Sequence, residues 1–180
     1  MSLKKIKIIS IFGIFVLNFI SHFLYEWMPN TLFSIFFPVN ESIFEHMKMI
    51  STSILIYSII EYIILKKTKT NYNNYLFSIF ISCIGNIIIF LIMYLPIYYK
   101  IGEKLILTII LLFISIVITE FISYKILCTK KNYTWLNIVS LLMIITLYII
   151  LGYLTYNPII CPLFFDPLNE KYGINNYLIT

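Results

Sequence analysis

Apolar residues form five long runs along the chain, and the short segments between the runs hold most of the lysines. Each run has about the 20 residues that a helix needs to cross the hydrocarbon core of a bilayer. The pattern predicts five spanning helices, at residues 6–27, 42–65, 75–95, 105–127 and 135–156. Pro96 follows the third run and Pro158 follows the fifth, which indicates that those helices end there.

Two segments are too short or too rich in proline to span a bilayer. Residues 28–41 are predicted to form a short interfacial or re-entrant turn between Pro29 and Pro38. Residues 157–180 are predicted to form an outer C-terminal tail. Because this tail is apolar, we expect it to fold back across the outer face of the protein.

The composition narrows the class of protein further. Of the 180 residues, 61% are hydrophobic and only 12% are charged, whereas soluble domains have about 25% charged residues. This composition excludes a water-soluble globule and a disordered chain. We therefore predict one integral membrane domain over residues 1–180, with an all-α fold: a polytopic transmembrane helical bundle in contact with membrane lipid.

The lysines predict the orientation of this bundle. The chain has 13 lysines and no arginine. Nucleic-acid-binding proteins rely on arginine for bidentate contacts, so we expect no nucleic-acid partner. With five spans, nine lysines lie on the side of the N-terminus and three lie on the opposite side. Since positively charged loops stay in the cytoplasm, we predict a cytoplasmic N-terminus and an outer C-terminus.

Acidic residues and histidines are rare, and most of them fall near the predicted outer face. A charge at the centre of a spanning helix costs about 2.5–3.5 kcal/mol on insertion scales. In the first helix, Asn18, His22 and Glu26 follow one another at intervals of four residues, which brings Asn18 and His22 to one face. Either His22 bonds to a neighbouring helix and Glu26 is interfacial, or this stripe lines a polar cavity.

The start of the second helix is the richest in candidate site residues. Asn40 is suited to cap this helix, and Glu41 complements the positive helix end. Glu45 and Lys48 are close enough to pair. His46 lies on a different polar stripe, because adjacent helical residues point about 100° apart.

Imidazole and carboxylate groups together are typical ligands of a transition metal such as zinc. His22, Glu45 and His46 are therefore the candidate ligands of a divalent metal, although no zincin H-E-x-x-H motif is present. A single ion would bind one of Glu45 and His46 directly and the other only with distortion. The alternative is that Glu45 or His46 acts as a general base.

Polar residues on the predicted inner side have simpler interpretations. Glu61 is followed by Lys66 and Lys67, and local pairing would account for it. Glu120 is expected to bond between helices, the alternative being an ion pathway. Asn86, in the middle of the third run, is either an interhelical hydrogen-bonding residue or part of a cavity.

Three segments carry a resemblance to a known family: residues 22–27, residues 37–48 with the string N-E-S-x-x-E-H-x-K, and residues 162–174. The chain resembles an uncharacterised family of small bacterial multipass membrane proteins, which implies a bacterial cell membrane. The resemblance also implies that the polar residues of these segments form one constellation: His22, Glu26, Asn40, Glu41, Glu45, His46, Lys48 and Asp166.

Three functions remain open. The first is a small membrane hydrolase that acts on a lipid or membrane-anchored substrate, with a catalytic group drawn from His22, Glu26, Glu41, Glu45, His46, Lys48 and Asp166. The second is a transporter or channel for a small cation or polar solute, which would favour a homo-oligomer because five spans are few for a monomer. The third is a non-catalytic accessory subunit in which the polar residues satisfy one another.

Overall fold

The computed structural model describes residues 1–174, so the end of the predicted tail, residues 175–180, lies outside the described residues. The elements are helices and one small hairpin: α1 Leu3–Trp27, α2 Thr31–Phe36, α3 Ile43–Lys67, α4 Tyr75–Ile101, α5 Leu105–Leu127, α6 Thr134–Tyr156, β1 Phe165–Asp166 and β2 Lys171–Tyr172. All the helices but α2 are long and apolar enough to cross a membrane. The predicted transmembrane helical bundle is confirmed.

The bundle is built around α3, which is the most buried of the long helices. Helix α1 packs against α3 and α5, and α4 packs against α3, α5 and α6. Buried side chains such as Ile50, Cys83 and Ile116 fill the core between these helices. Large apolar side chains such as Ile106 and Ile149 point outward from the bundle, as expected of a surface in contact with lipid.

Helix α4 extends beyond the predicted end at Pro96. Proline lacks the N–H that would bond to the preceding turn, but the helix continues through it to Ile101. Gly102 ends the helix with a positive φ of 72°, and its N–H donates to the carbonyl of Tyr98 at 2.9 Å. The helix therefore ends at a glycine whose positive φ is unfavourable for residues with a side chain, six residues after the proline.

The predicted turn between the first two spans contains the short helix α2. The side chain of Asn30 accepts a hydrogen bond from the N–H of Phe33 and so caps α2. The cap of α3 differs from the prediction. Ser42, and not Asn40, accepts from the N–H of Glu45 at 3.3 Å, and Asn40 instead accepts from the N–H of Ser42.

The tail folds back over the end of the bundle where α3 begins, as predicted. The ring of Phe164 stacks on Phe44 with a centroid separation of 4.2 Å, and the N–H of Phe44 donates to the carbonyl of Leu163. Strands β1 and β2 form an antiparallel hairpin that the sequence analysis did not predict. We call this end of the molecule the tail end and the opposite one the amino-terminal end.

Candidate metal centre

Three polar side chains converge at the tail end: His22 from α1, Glu41 from the segment before α3, and His46 from α3. The two Nε2 atoms of His22 and His46 are 3.3 Å apart. Glu41 Oε2 lies 3.5 Å from each of these nitrogen atoms. We call these three residues the triad.

The position of Glu41 follows from where α3 begins. Because Ser42 is the N-cap, Glu41 precedes the helix and does not follow its periodicity. The side chain of Asn40 holds this turn from both sides, since it accepts from the N–H of Ser42 at 2.9 Å and donates to the carbonyl of Gly173 at 3.0 Å. Glu41 is thus free to lie beside His22 and His46.

The ring of His46 is oriented by a hydrogen bond to its own helix. Nδ1 of His46 lies 2.9 Å from the carbonyl oxygen of Ser42, which can only accept a hydrogen bond. In the neutral ring, Nδ1 therefore carries the proton and Nε2 presents a lone pair toward His22 and Glu41. Such a hydrogen bond to the outer nitrogen is the usual partner of a metal-ligating histidine.

Glu41 is held as a carboxylate. The hydrogen bond from His22 holds the pKa of Glu41 below its usual value. An ionised carboxylate next to two imidazoles provides one negative and two neutral ligands, the His₂Glu set of several catalytic zinc sites.

The dimensions of the triad fit a tetrahedral metal ion. Bonds of about 2.0–2.1 Å to nitrogen and oxygen ligands place tetrahedral ligand atoms about 3.3–3.4 Å apart. The three separations in the triad are 3.3, 3.5 and 3.5 Å. These separations match three corners of such a tetrahedron, and an ion held there would have its fourth corner open.

Glu41 and His46 also line a cavity of about 50 Å³ at the tail end, which we call the tail-end pocket. A single buried water needs about 10–15 Å³ measured in this way, so the pocket has room for a few water molecules. Helices α3, α4 and α5, the loop between α4 and α5, and the tail supply the remaining wall, including Tyr94, Tyr98, Glu103, Thr108 and Phe165. Tyr94, Tyr98 and Glu103 were not among the site residues predicted from the sequence.

Glu45 does not join the two histidines, although it was predicted to be a metal ligand with them. Glu45 Oε2 lies 2.5 Å from Lys48 Nζ, and both side chains are buried. Lys48 also donates to the carbonyl of Ser34 and to the hydroxyl of Thr155. Because Glu45 and His46 are adjacent on α3, they point to different sides of it. Glu41 occupies the place expected of Glu45.

Glu26 and Asp166 also lie outside the triad. Glu26 is exposed on α1, one turn beyond His22. Asp166 is fully buried, and its carboxylate accepts from the N–H groups of Leu168 and Asn169 and from the side chain of Asn169. These bonds within its own turn account for the burial of Asp166.

A second ionic cluster lies at the amino-terminal end. Lys7 Nζ contacts Glu61 Oε2 at 2.9 Å and Glu120 Oε2 at 2.8 Å, and the hydroxyl of Ser10 donates to Glu61. Glu61 therefore pairs with Lys7 across the bundle, and the predicted local pairing with Lys66 or Lys67 is wrong. The expected interhelical bonding of Glu120 is confirmed, because its partner Lys7 comes from α1. We call Lys7, Glu61 and Glu120 the inner cluster.

Comparison with known proteins gives a family but no activity. The model described as "Family of unknown function (DUF6512)" matches residues 1–174. The chain belongs to this family. No curated protein and no solved structure matches it. The function of this DUF6512 protein is therefore inferred from the geometry of its own side chains.

Proposed function

We propose that the protein is a metal-dependent membrane hydrolase whose triad, His22, Glu41 and His46, binds one zinc ion. The observation that carries this proposal is the triangle of ligand atoms, with sides of 3.3–3.5 Å, next to a cavity large enough for water. A structural metal site uses all four positions, whereas a catalytic site keeps one position open for water. The triad supplies three ligands.

In the proposed reaction, a zinc ion held by the triad would activate a water molecule for attack on an ester; the C–O bond of the ester would break, and the leaving oxygen would take up the proton removed from the water. Zinc lowers the pKa of its bound water to about 7, so that hydroxide is available at neutral pH. Glu103 lines the same pocket and is the candidate general base that accepts the proton from this water. Tyr94 and Tyr98 on α4 provide hydroxyl groups that could bind the oxygen on which negative charge develops.

The substrate that we propose is a lipid or a membrane-anchored molecule. The triad lies near the end of α1 and the start of α3, and the outward faces of the bundle are apolar. We therefore expect lipid headgroups at the level of the triad. The lysines concentrate at the opposite end, which supports a cytoplasmic N-terminus and an outward-facing site. The resemblance of the sequence to small bacterial membrane proteins supports our proposal that the protein lies in a bacterial cell membrane.

The test is zinc content and hydrolysis by the purified, untagged protein in vesicles of phosphatidylglycerol and phosphatidylethanolamine. We expect one zinc per chain and release of a lipid fragment, and we expect Glu41→Gln to lose both. Glu26→Gln is the matched control, because it removes an exposed carboxylate one turn from His22. Equal zinc content in the two variants would refute the metal site. Bound zinc without hydrolysis of either lipid would refute the assignment to these substrates.

A further inference from the structure

The inner cluster is enclosed among four helices. Lys7 is on α1, Glu61 on α3 and Glu120 on α5, and all three side chains are at least nine-tenths buried. Together with serines of α4, they line a small cavity of about 10 Å³, which we call the inner cavity. This site lies at the opposite end of α1 and α3 from the triad and shares no residue with it.

The charges around the inner cavity do not balance. One ammonium group, of Lys7, contacts two carboxylates, of Glu61 and Glu120. The other titratable group that lines the cavity is the hydroxyl of Tyr57, and α4 contributes only serines and one isoleucine. Lys4 and Tyr124 line a groove on the other side of Lys7 and Glu120, which both line this groove as well. With both carboxylates ionised, the enclosed cluster carries one net negative charge, which is costly at membrane depth.

The walls of the inner cavity offer oxygen atoms to a ligand. The hydroxyl of Ser82 lines the cavity, is 2% exposed and has no hydrogen-bond partner among the described residues. Ser58 and Ser78 donate their protons to backbone carbonyls at 2.7 Å, so that their oxygen lone pairs remain available. A buried polar atom is normally satisfied by protein or by a bound species.

We propose that the inner cavity binds one monovalent cation, a proton or a sodium ion, whose charge completes the inner cluster. The size of the cavity is that of about one water molecule, which admits either species. A divalent ion would reverse the imbalance and leave one net positive charge. This site does not depend on the proposed hydrolase activity, because it shares no residue with the triad.

Thermal unfolding of the full chain in detergent micelles tests this proposal. The midpoint is measured from about pH 9 to about pH 6, with either choline or sodium as the salt cation at constant ionic strength. Wild type is compared with Glu120→Gln, which keeps a polar partner for Lys7 but removes one negative charge. Because both proteins have the same triad, its titration contributes equally to the two unfolding midpoints and cancels in their difference at each pH. Glu26→Gln is the control for loss of a carboxylate elsewhere.

A bound proton predicts that the wild-type midpoint, relative to Glu120→Gln, decreases as the pH rises and does not respond to sodium. A bound sodium ion predicts that the relative midpoint increases with sodium concentration, most strongly at high pH where protons do not compete. A relative midpoint that responds to neither pH nor sodium would overturn the proposal. If Glu120→Gln does not fold, Glu61→Gln replaces it with the same expectations.

An infrared measurement separates the two cations independently. A bound proton gives the wild-type protein the carbonyl stretching band of a protonated carboxyl group, which Glu120→Gln or Glu61→Gln removes and Glu26→Gln retains. With sodium bound, both carboxylates keep their ionised bands, and these shift when sodium is replaced by choline. Ionised bands that are unchanged by sodium and pH would overturn the proposal as well.

Discussion

Glu45 and His46 are neighbours in sequence but belong to two different environments. Glu45 forms a buried ion pair with Lys48, in which the side chains are 1% and 0% exposed. His46 belongs to the triad, whose side chains are 26–38% exposed and adjoin a cavity. The charged groups of Glu45 and Lys48 form hydrogen bonds with other protein groups. The three ligand atoms of the triad instead face one another. Burial and bonding within the protein indicate a structural role, and converging accessible ligand atoms indicate a binding site.

The largest difference between the two regions is expected in stability. Lys48→Met leaves Glu45 buried without its ion-pair partner, and breaking one side of a buried pair costs about 3–5 kcal/mol. His22→Ala, at a partly exposed position, is expected to cost much less. The free energy of unfolding in a denaturant series in micelles measures both changes.

The double variant Glu45→Met with Lys48→Met is the control for this comparison. Because it removes both charges together, it should recover most of the stability that Lys48→Met loses. If the double variant is as unstable as Lys48→Met alone, the ion pair is not the source of the effect. If Lys48→Met is as stable as wild type, the interpretation of the pair as structural is wrong.

The next largest expected effect is the change of the zinc affinity with pH. Zinc binds only the neutral form of imidazole, so it competes with protons for the two histidine ligands. Because His22 holds the pKa of Glu41 below its usual value, the carboxylate stays ionised and does not limit binding. The affinity should therefore fall by about 10–100-fold as the pH drops from about 6.5 to about 5.5.

Equilibrium zinc titrations with a competing chelator measure this dependence. The variant with methionine at positions 45 and 48 should show the same pH profile as wild type, because the buried pair takes no part in binding. An affinity that is constant over this pH range would exclude histidine ligands.

The smallest expected effect on stability is that of Ser42, the N-cap of α3. The hydroxyl of Ser42 accepts from the N–H of Glu45, and loss of such a cap costs about 1 kcal/mol. Ser42→Ala should lower stability by that amount, and Ser42→Thr should retain most of it. Chemical denaturation of the three proteins measures the cost. A loss several times larger would show that Ser42 does more than cap α3.

The five spans could be predicted from the sequence because each is a single apolar run of bilayer length. The end of α4 could not, because Pro96 is a strong local stop signal that the helix passes through. The two-residue strands of the tail are too short to show a periodic pattern. The length of an apolar run was therefore a reliable signal for a spanning helix, whereas a single proline was not a reliable signal for the end of one.

The residues of the candidate site could also be predicted only in part from the sequence. His22 and His46 were singled out because histidine is rare in this chain, and the structure brings them together. Glu41 was placed on the helix with Glu45 because Asn40 was expected to be the cap. The pattern Ser42-x-x-Glu45 is that of a capping box, and it would have placed Glu41 before the helix. The pairing of Lys7 with Glu61 joins residues 54 positions apart, which no local spacing indicates.

The central claim is that zinc binds to His22, Glu41 and His46. X-ray absorption spectroscopy of the zinc-loaded, untagged protein tests it most directly. The account predicts four nitrogen and oxygen ligands at about 2.0–2.1 Å, with the scattering of two imidazole rings, and predicts that Glu41→Gln changes this shell while the methionine variant at positions 45 and 48 does not. A shell without imidazole scattering, or one that Glu41→Gln leaves unchanged, would contradict the account.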